Sequence, residues 1–449
     1  MLLPFLLSVL ILYAPLPVDG VPDPWVLTGL GVAALAALNA GASWLGGRLA
    51  GRFYSSTGPL GELAASRVFS FLKGLVVGLV AADVFVLKWP LMVEALLTRH
   101  RWFILVDDLL LLLPAVVMVV TVMAFQHRVE RERGSISLGL RRYLWLRIRV
   151  ELGIILGPWI ALVLVTDLVT AVFYGSPHAV VADAVGTAAV LGILIVFSPL
   201  LLRRMWSTSP LPEGALRRRL EDFCERNGFR CRDILVWHTH DHLTNAGVIG
   251  PVPLLRYVLL TDALVNRCSE DEVEAVFAHE VGHARQHHLA FYLLLALAFL
   301  VFYTNLIDLL AFIGWVEPMQ HILGFDMTLR QAVAMLAFAG FYWIVVFGYI
   351  SRRMEQQADL YSLRKIEHPT AFLTALEKLG SLNRSPRKLC FWRHFSIDRR
   401  IDFLQNVLDN PRIGGRFLRK VTIIKGVVGV LFVAALARLL LARPEVFGL

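Results

Sequence analysis

Residues 269–283 read Ser-Glu-Asp-Glu-Val-Glu-Ala-Val-Phe-Ala-His-Glu-Val-Gly-His. Ser269 followed three residues later by Glu272 is a capping box, which starts a helix by satisfying its first free N–H groups. Three acids in the first turn also suit the positive end of the helix dipole. Val273, Val276 and Phe277 supply an apolar face, and the helix then runs into His279-Glu280-Val281-Gly282-His283. Residues i and i+4 share one helix face, with Cβ atoms roughly 5–6 Å apart. Two imidazoles so placed can grip one Zn²⁺ ion, and Glu280 falls beside the water that such an ion activates. The expected chemistry is amide hydrolysis, with Glu280 as general base. A charged, water-facing helix leads into the motif, which argues against a site embedded in the middle of a membrane span.

Outward from this helix the chain turns apolar. Of 449 residues, 57% are hydrophobic and only 18% charged, whereas soluble domains carry about a quarter charged residues. The apolar residues fall in blocks of about twenty, the length a helix needs to cross a bilayer. Spans are expected near 25–46, 68–87, 103–125, 150–173, 178–202, 290–314, 330–350 and 422–442. Residues 2–16 are a ninth, weaker candidate: an uncleaved span or an odd signal peptide. The missing basic n-region favours the span.

The net charge of +9 is unevenly placed. Arginine concentrates in 126–149, 203–230 and 351–420, and Arg48, Arg52 and Arg67 occupy the loop at 47–67. The loops at 17–24 and 174–178 are nearly free of it; Arg99 and Arg101 are a small exception. The positive-inside rule then places the arginine-rich segments in the cytoplasm. The basic balance is therefore a topology signal, and no nucleic-acid-binding motif accompanies it. Cys224, Cys231, Cys268 and Cys390 all fall in segments assigned to the cytoplasm, where thiols stay reduced. The Cys224–Cys231 spacing is too wide for a zinc knuckle, so all four are read as free, partly buried thiols.

Around Ser207-Thr208-Ser209-Pro210 the composition changes. The expected organisation is a multi-span membrane region at 1–206, a metallopeptidase domain at 207–420 interrupted by a membrane hairpin at 290–350, and a last span and tail at 421–449. Strands are expected at 234–237 and 256–260, and a helix stop at Asn227-Gly228. The fold class is thus mainly α: a polytopic α-helical membrane protein with a cytoplasmic zincin-like catalytic domain containing a small β-sheet.

A catalytic zinc site with two histidines needs a third ligand. After the hairpin the chain reads Glu355-Gln356-Gln357-Ala358-Asp359, and the hairpin itself returns this segment to the motif. Glu355 is the candidate ligand. Asp359, one turn on, can accept the N–H of a ligating histidine.

The pattern of HEVGH, a membrane hairpin and EQQAD resembles the membrane gluzincin metalloendopeptidases, which include the HtpX heat-shock proteases and the type I CaaX prenyl proteases. The resemblance covers about 207–420. It implies that Asn245 and Ala246 sit on an edge strand and pair main chain to main chain with an extended peptide; a plain turn is the alternative. It also implies that His394 hydrogen-bonds the tetrahedral oxyanion, and that Arg400 orients that region or Asp359. Where the family carries proline after this histidine, the chain has Phe395.

Several groups stay open. His287 and His288 are read as marking a helix end near the membrane. His238, His240 and His242 are a polar loop at the cleft rim or a second metal site. Lys73, Asp83, Asp107, Asp108, Asp167 and Asp183 line a hydrated cavity or lie at the membrane interface. The function expected is one-zinc peptide-bond hydrolysis of membrane proteins or membrane-tethered peptides, at the cytoplasmic face of a bacterial plasma membrane, with protein or peptide substrates and the lipid bilayer as partners and no nucleic acid. The rivals are a narrow-substrate prenyl-protein or peptide-processing protease and a non-catalytic scaffold or sensor.

Overall fold

A computed structural model describes residues 8, 25–56, 59–97, 105–132, 138–173, 176, 179–239, 243–315, 334, 337–382 and 395–442. The candidate span at 2–16, most of the loops at 98–102 and 315–329, the first part of the 330–350 span, His240, His242, Cys390 and His394 lie outside the described residues. The chain divides into two units, residues 1–192 and residues 193–322 with 327–449.

In the first unit, α1 (Trp25–Ser56), α2 (Pro59–Phe85), α3 (Trp89–Leu97) and α4 (Val106–Glu132) form a bundle. Phe69, Leu72, Val76, Val80, Ala115, Met118, Val119 and Val122 fill its interior. Small residues let the helices approach, as membrane helices require: a Cβ on Gly46 would lie 2.9 Å from Leu72 Cδ1. Leu38, Phe71, Leu109 and Val117 meanwhile stay exposed on the outside. A helix apolar on every face is one solvated by lipid or protein. Asp83 is fully buried in this bundle. Next come α5 (Leu140–Arg147), a π-turn at Ile148–Leu152, and α6 (Gly153–Phe173); α7 (Ala179–Met205) crosses into the second unit.

Seven helices among the described residues are long and apolar enough to cross a membrane: 28–53, 67–85, 106–132, 155–173, 185–205, 288–312 and 411–442. They correspond to seven of the eight expected spans. The eighth is described only at residue 334 and from residue 337 on, where a helix passes through a π-segment, Phe341–Phe347.

The second unit holds a four-stranded sheet of order β1-β2-β4-β3. Its strands are β1 (Thr208–Pro210), β2 (Asp233–Trp237), β3 (Ala246–Ile249) and β4 (Tyr257–Thr261). β2 and β4 run parallel; β1 and β3 pair antiparallel to them. The helix α8 (Ala215–Arg226) connects β1 to β2, and α9 (Asp262–Arg267) follows β4 directly.

The capped helix α10 (Glu270–Arg285) lies against this sheet, with Val273, Val276 and Phe277 in a common core with Val258, Leu260 and Phe223. Its capping box is formed: Glu272 N–H donates to Ser269 Oγ, and Ser269 N–H to Glu272 Oε2. Lys378 anchors the same carboxylate at 2.9 Å. Next come α11 (His288–Phe312), α12 (Gly348–Lys365), α13 (Thr370–Leu382), α14 (Ile397–Asp409) and α15 (Pro411–Ala442).

The α10–α12 contact positions the site. Ser362 Oγ donates to the Ala275 carbonyl at 2.7 Å. At Gly282 a Cβ would come within 3.1 Å of Tyr361 Cβ and 3.3 Å of Ala358 Cα. Glycine costs a helix interior about 1 kcal/mol relative to alanine, so its use here reflects the close approach. Gly282→Val is expected to push α10 and α12 apart and to destabilise by about 1–3 kcal/mol, the usual cost of overpacking. Thermal unfolding with bound-metal analysis checks this; an unchanged midpoint with full metal content would contradict it.

Candidate active site

The helix pair brings three donors together. One ligand atom from each of His279, His283 and Glu355 lies within 4.8 Å of the others. His279 Nε2 is 3.2 Å from His283 Nε2. Glu355 Oε2 is 3.9 Å from His279 Nε2, and Oε1 is 3.6 Å from His283 Nε2. His279 and Glu355 are buried. With His283 they form a possible metal site.

Each histidine has a group behind it. His279 Nδ1 lies 2.9 Å from Asp359 Oδ1. Asp359, fully buried, receives both arms of Arg400: Nε at 2.9 Å and Nη2 at 2.5 Å. Burial alone would push the Asp359 carboxyl up, but the Arg400 guanidinium and His279 hold it below the usual carboxylate range. Burial likewise disfavours a charged His279, yet Asp359 outweighs it and raises that pKa. An ionised Asp359 2.9 Å away favours keeping the proton on Nδ1, which leaves Nε2 to donate its lone pair.

The partner of His283 was not foreseen. His283 Nδ1 is 2.8 Å from His288 Nδ1, and His288 Nε2 is 3.1 Å from Gln357 Oε1. The network assigns the protons: Gln357 accepts from His288 Nε2, so His288 Nδ1 accepts from His283 Nδ1. Burial, followed by the neighbouring His279, pushes the His283 pKa down to about 3, so this ring is neutral. His287, with φ of 55°, breaks the helix between α10 and α11. That left-handed residue swings His288 back over His283. Five-residue spacing on an unbroken helix would not do so, so the spacing alone carried no signal.

Glu280 opens into a cleft of about 460 Å³ with His279, His283 and Glu355. Asn245, Ala246 and Val248 form one wall; Ile195 of α7 and Leu289, Tyr292 and Leu293 of α11 also line the cleft. β3 is the last strand in the sheet. Thr261 N–H donates to the Asn245 carbonyl, and Asn245 N–H to Thr261 Oγ1. Hydrogen bonding alternates along an antiparallel pair, so the main-chain groups of Ala246 and Val248 point away from β4. Gly250 (φ 98°) ends the strand with its Cβ position 2.5 Å from the Leu255 carbonyl.

Phe395, at the position after His394, lies 5.7 Å from the Arg352 guanidinium and 5.5 Å from that of Arg353. Both arginines precede Glu355 on α12. His238 hydrogen-bonds Ser209 at 2.8 Å.

Residues 210–408 match the model of Peptidase family M48. The matched segment contains β2, β3, β4, α10, α12 and all of the donors above. A CAAX prenyl protease 1 homolog of Oryza sativa subsp. japonica is 29% identical over 271 residues, 56% of this chain and 60% of the relative. A Protease HtpX homolog of Aeropyrum pernix is 27% identical over 50% of this chain and 71% of its own length. This chain thus spans well under two thirds of the plant relative. The crystal structure of S. mikatae Ste24p superposes with a TM-score of 0.54 at 18% identity, covering 85% of this chain and 99% of that one. The fold is accordingly that of a polytopic α-helical membrane protein with a small mixed sheet.

Proposed function

We propose that this chain is a zinc-dependent endopeptidase that hydrolyses peptide bonds of membrane proteins or membrane-tethered peptides. The observation that carries it is the grouping of His279, His283 and Glu355 beside Glu280 and an open strand edge. A tetrahedral ion with ligands at about 2.0–2.2 Å separates its donors by about 3.3–3.6 Å. The two imidazole nitrogens, 3.2 Å apart, lie close to that edge, and a Glu355 oxygen stands 3.6 Å from His283 Nε2. Two nitrogens and one carboxylate oxygen suit zinc with one position left open.

Zinc so held supplies Lewis acidity, bringing the pKa of a water near 7 and polarising a substrate carbonyl. The chain's own residues do the rest. An extended substrate pairs with the outward main-chain groups of Ala246 and Val248, with Asn245 at the strand's start; this sets the register of the scissile bond. Glu280 removes a proton from the attacking water and passes it to the leaving amine. Asp359 with Arg400, and His288 with Gln357, fix the two imidazoles. His394 is assigned to the oxyanion. Apolar side chains from two membrane helices, Ile195 of α7 and the first turns of α11, line the cleft, which suits substrates presented at the bilayer. The relatives named CAAX prenyl protease and Protease HtpX support peptide-bond hydrolysis. A scaffold would have no use for Glu280 in this cleft.

Purified protein is expected to hold about one zinc per chain, bound through nitrogen and oxygen at about 2.0–2.2 Å without sulfur. X-ray absorption with metal analysis tests this. A thiolate ligand, or folded protein that takes up no zinc, would sink the assignment.

The clustered arginines support an active site on the cytoplasmic face. Cys224 is buried and a poor reporter, so the test uses Glu213→Cys at an exposed position and Ser176→Cys at a half-buried one. On intact cells Ser176→Cys should react with a membrane-impermeant maleimide. Glu213→Cys should react only after the membrane is opened. The reverse pattern would invert the topology and move the substrates to the other side.

A further inference from the structure

Away from the cleft, α8 ends in a Schellman turn. Phe229 N–H donates to the Cys224 carbonyl at 2.9 Å, Gly228 N–H to the Glu225 carbonyl at 3.1 Å, and Gly228 takes the left-handed φ of 58°. This turn folds the chain back over the last turn of its own helix. Cys231 lies two residues beyond Phe229, so the reversed chain carries it back toward Cys224. Both line one cavity of about 1060 Å³, together with Arg217, Glu221, Asp233 and Phe229. Cys224 is buried and Cys231 half-buried.

We propose that Cys224 and Cys231 form a dithiol that hydroperoxides oxidise reversibly to an intrachain disulfide.

The surroundings divide the roles. Arg217 ion-pairs with Glu221 at 2.8 Å and Asp233 at 3.0 Å, which neutralises the nearest acids. Arg256 donates to the carbonyls of Gly250, Arg230 and Pro251 and lies over the Phe229 ring at 5.3 Å. Its charge is matched by no carboxylate among the described residues, and it faces Cys231. The neighbouring Cys224 thiol, aided by Arg256, lowers the Cys231 pKa against burial and the acids; the Cys231 thiol, then burial, raises that of Cys224. Cys231 is thus the attacking thiolate, since low-pKa, accessible thiols react first. Cys224 is the resolving thiol.

The chemistry balances. The Cys231 thiolate attacks one oxygen of hydrogen peroxide, the O–O bond breaks, and hydroxide leaves, taking up a proton as water. The resulting sulfenic acid is attacked by Cys224 sulfur; the S–S bond forms, the S–O bond breaks, and the Cys224 proton departs with a second water. Two thiols lose two electrons and the peroxide gains them. The thiols of thioredoxin-type reductants reverse the step by exchange.

The test uses the full chain in detergent, treated with graded hydrogen peroxide, alkylated, digested and analysed by mass spectrometry. The expected product is one crosslink joining the peptides of Cys224 and Cys231, lost on treatment with dithiothreitol, while Cys268 stays alkylated. Cys224→Ala should stop the reaction at a Cys231 sulfenic acid, trapped by dimedone. The wild-type arm stands even if that variant folds poorly. Peroxide that leaves both residues alkylatable, drives Cys231 to sulfinic acid without a crosslink, or joins it to Cys268 or Cys390 would overturn the proposal.

Discussion

Glu280→Gln is expected to retain zinc and lose peptide cleavage by about 10²–10⁴-fold, the usual contribution of a general base. The substitution keeps the size of the side chain and its place in the cleft but removes the proton acceptor. His279, His283 and Glu355 are untouched, so metal content separates this effect from loss of the site. The comparison is Glu355→Gln, which should release metal and cleavage together, because an amide oxygen replaces an anionic donor. Both variants are assayed for bound zinc and for turnover of a peptide spanning a cleavable bond. A Glu280→Gln enzyme that cuts at the wild-type rate would reject Glu280 as the base, and with it the proposed mechanism.

Arg400→Met is expected to cost about 3–5 kcal/mol of stability, because removing one partner of a buried pair strands the other charge. Asp359 is fully buried, and Arg400 is only 14% exposed, so solvent does little to soften the loss. His279 is the remaining neighbour of that carboxylate and cannot replace a two-armed guanidinium. A shift in the thermal midpoint in detergent, followed with and without added zinc, measures the effect. Asp359→Asn with Arg400→Met should recover part of the stability, since no charge is then stranded, while zinc retention stays impaired because His279 has lost its carboxylate. A single variant as stable as wild type would mean that Arg400 does not sustain Asp359.

The expected and observed architectures agree where local rules suffice. The capping box at Ser269 and Glu272 formed because its donors and acceptors lie within four residues of one another. The membrane helices at 67–85 and 288–312 were legible because a predominantly apolar stretch of about twenty residues is the length a helix needs to cross a bilayer. The strand at 234–237 appears as Asp233–Trp237 and that at 256–260 as Tyr257–Thr261. Local sequence also determined that Glu355 and Asp359 share a helix face one turn apart; a hairpin of two spans was the expected means of returning them to HEVGH.

Only the tertiary structure decided which partners these residues meet. Arg400 had two possible tasks, and the packing of α14 gave it to Asp359. His288 was read as a helix end, yet a left-handed His287 turns it onto His283. The outward direction of the Ala246 and Val248 main chain depends on β3 being the outermost strand beside β4, a sheet order no single segment encodes. Cys224 and Cys231 looked like unrelated thiols until the turn at Gly228 carried one back toward the other. The physical reason is the same in each case. Helix periodicity and span length are properties of neighbours along the chain, readable from residue order alone. Contacts across helix breaks, strand edges and reversed turns depend on a few backbone angles and on what packs behind them, and these are set only when the whole fold forms.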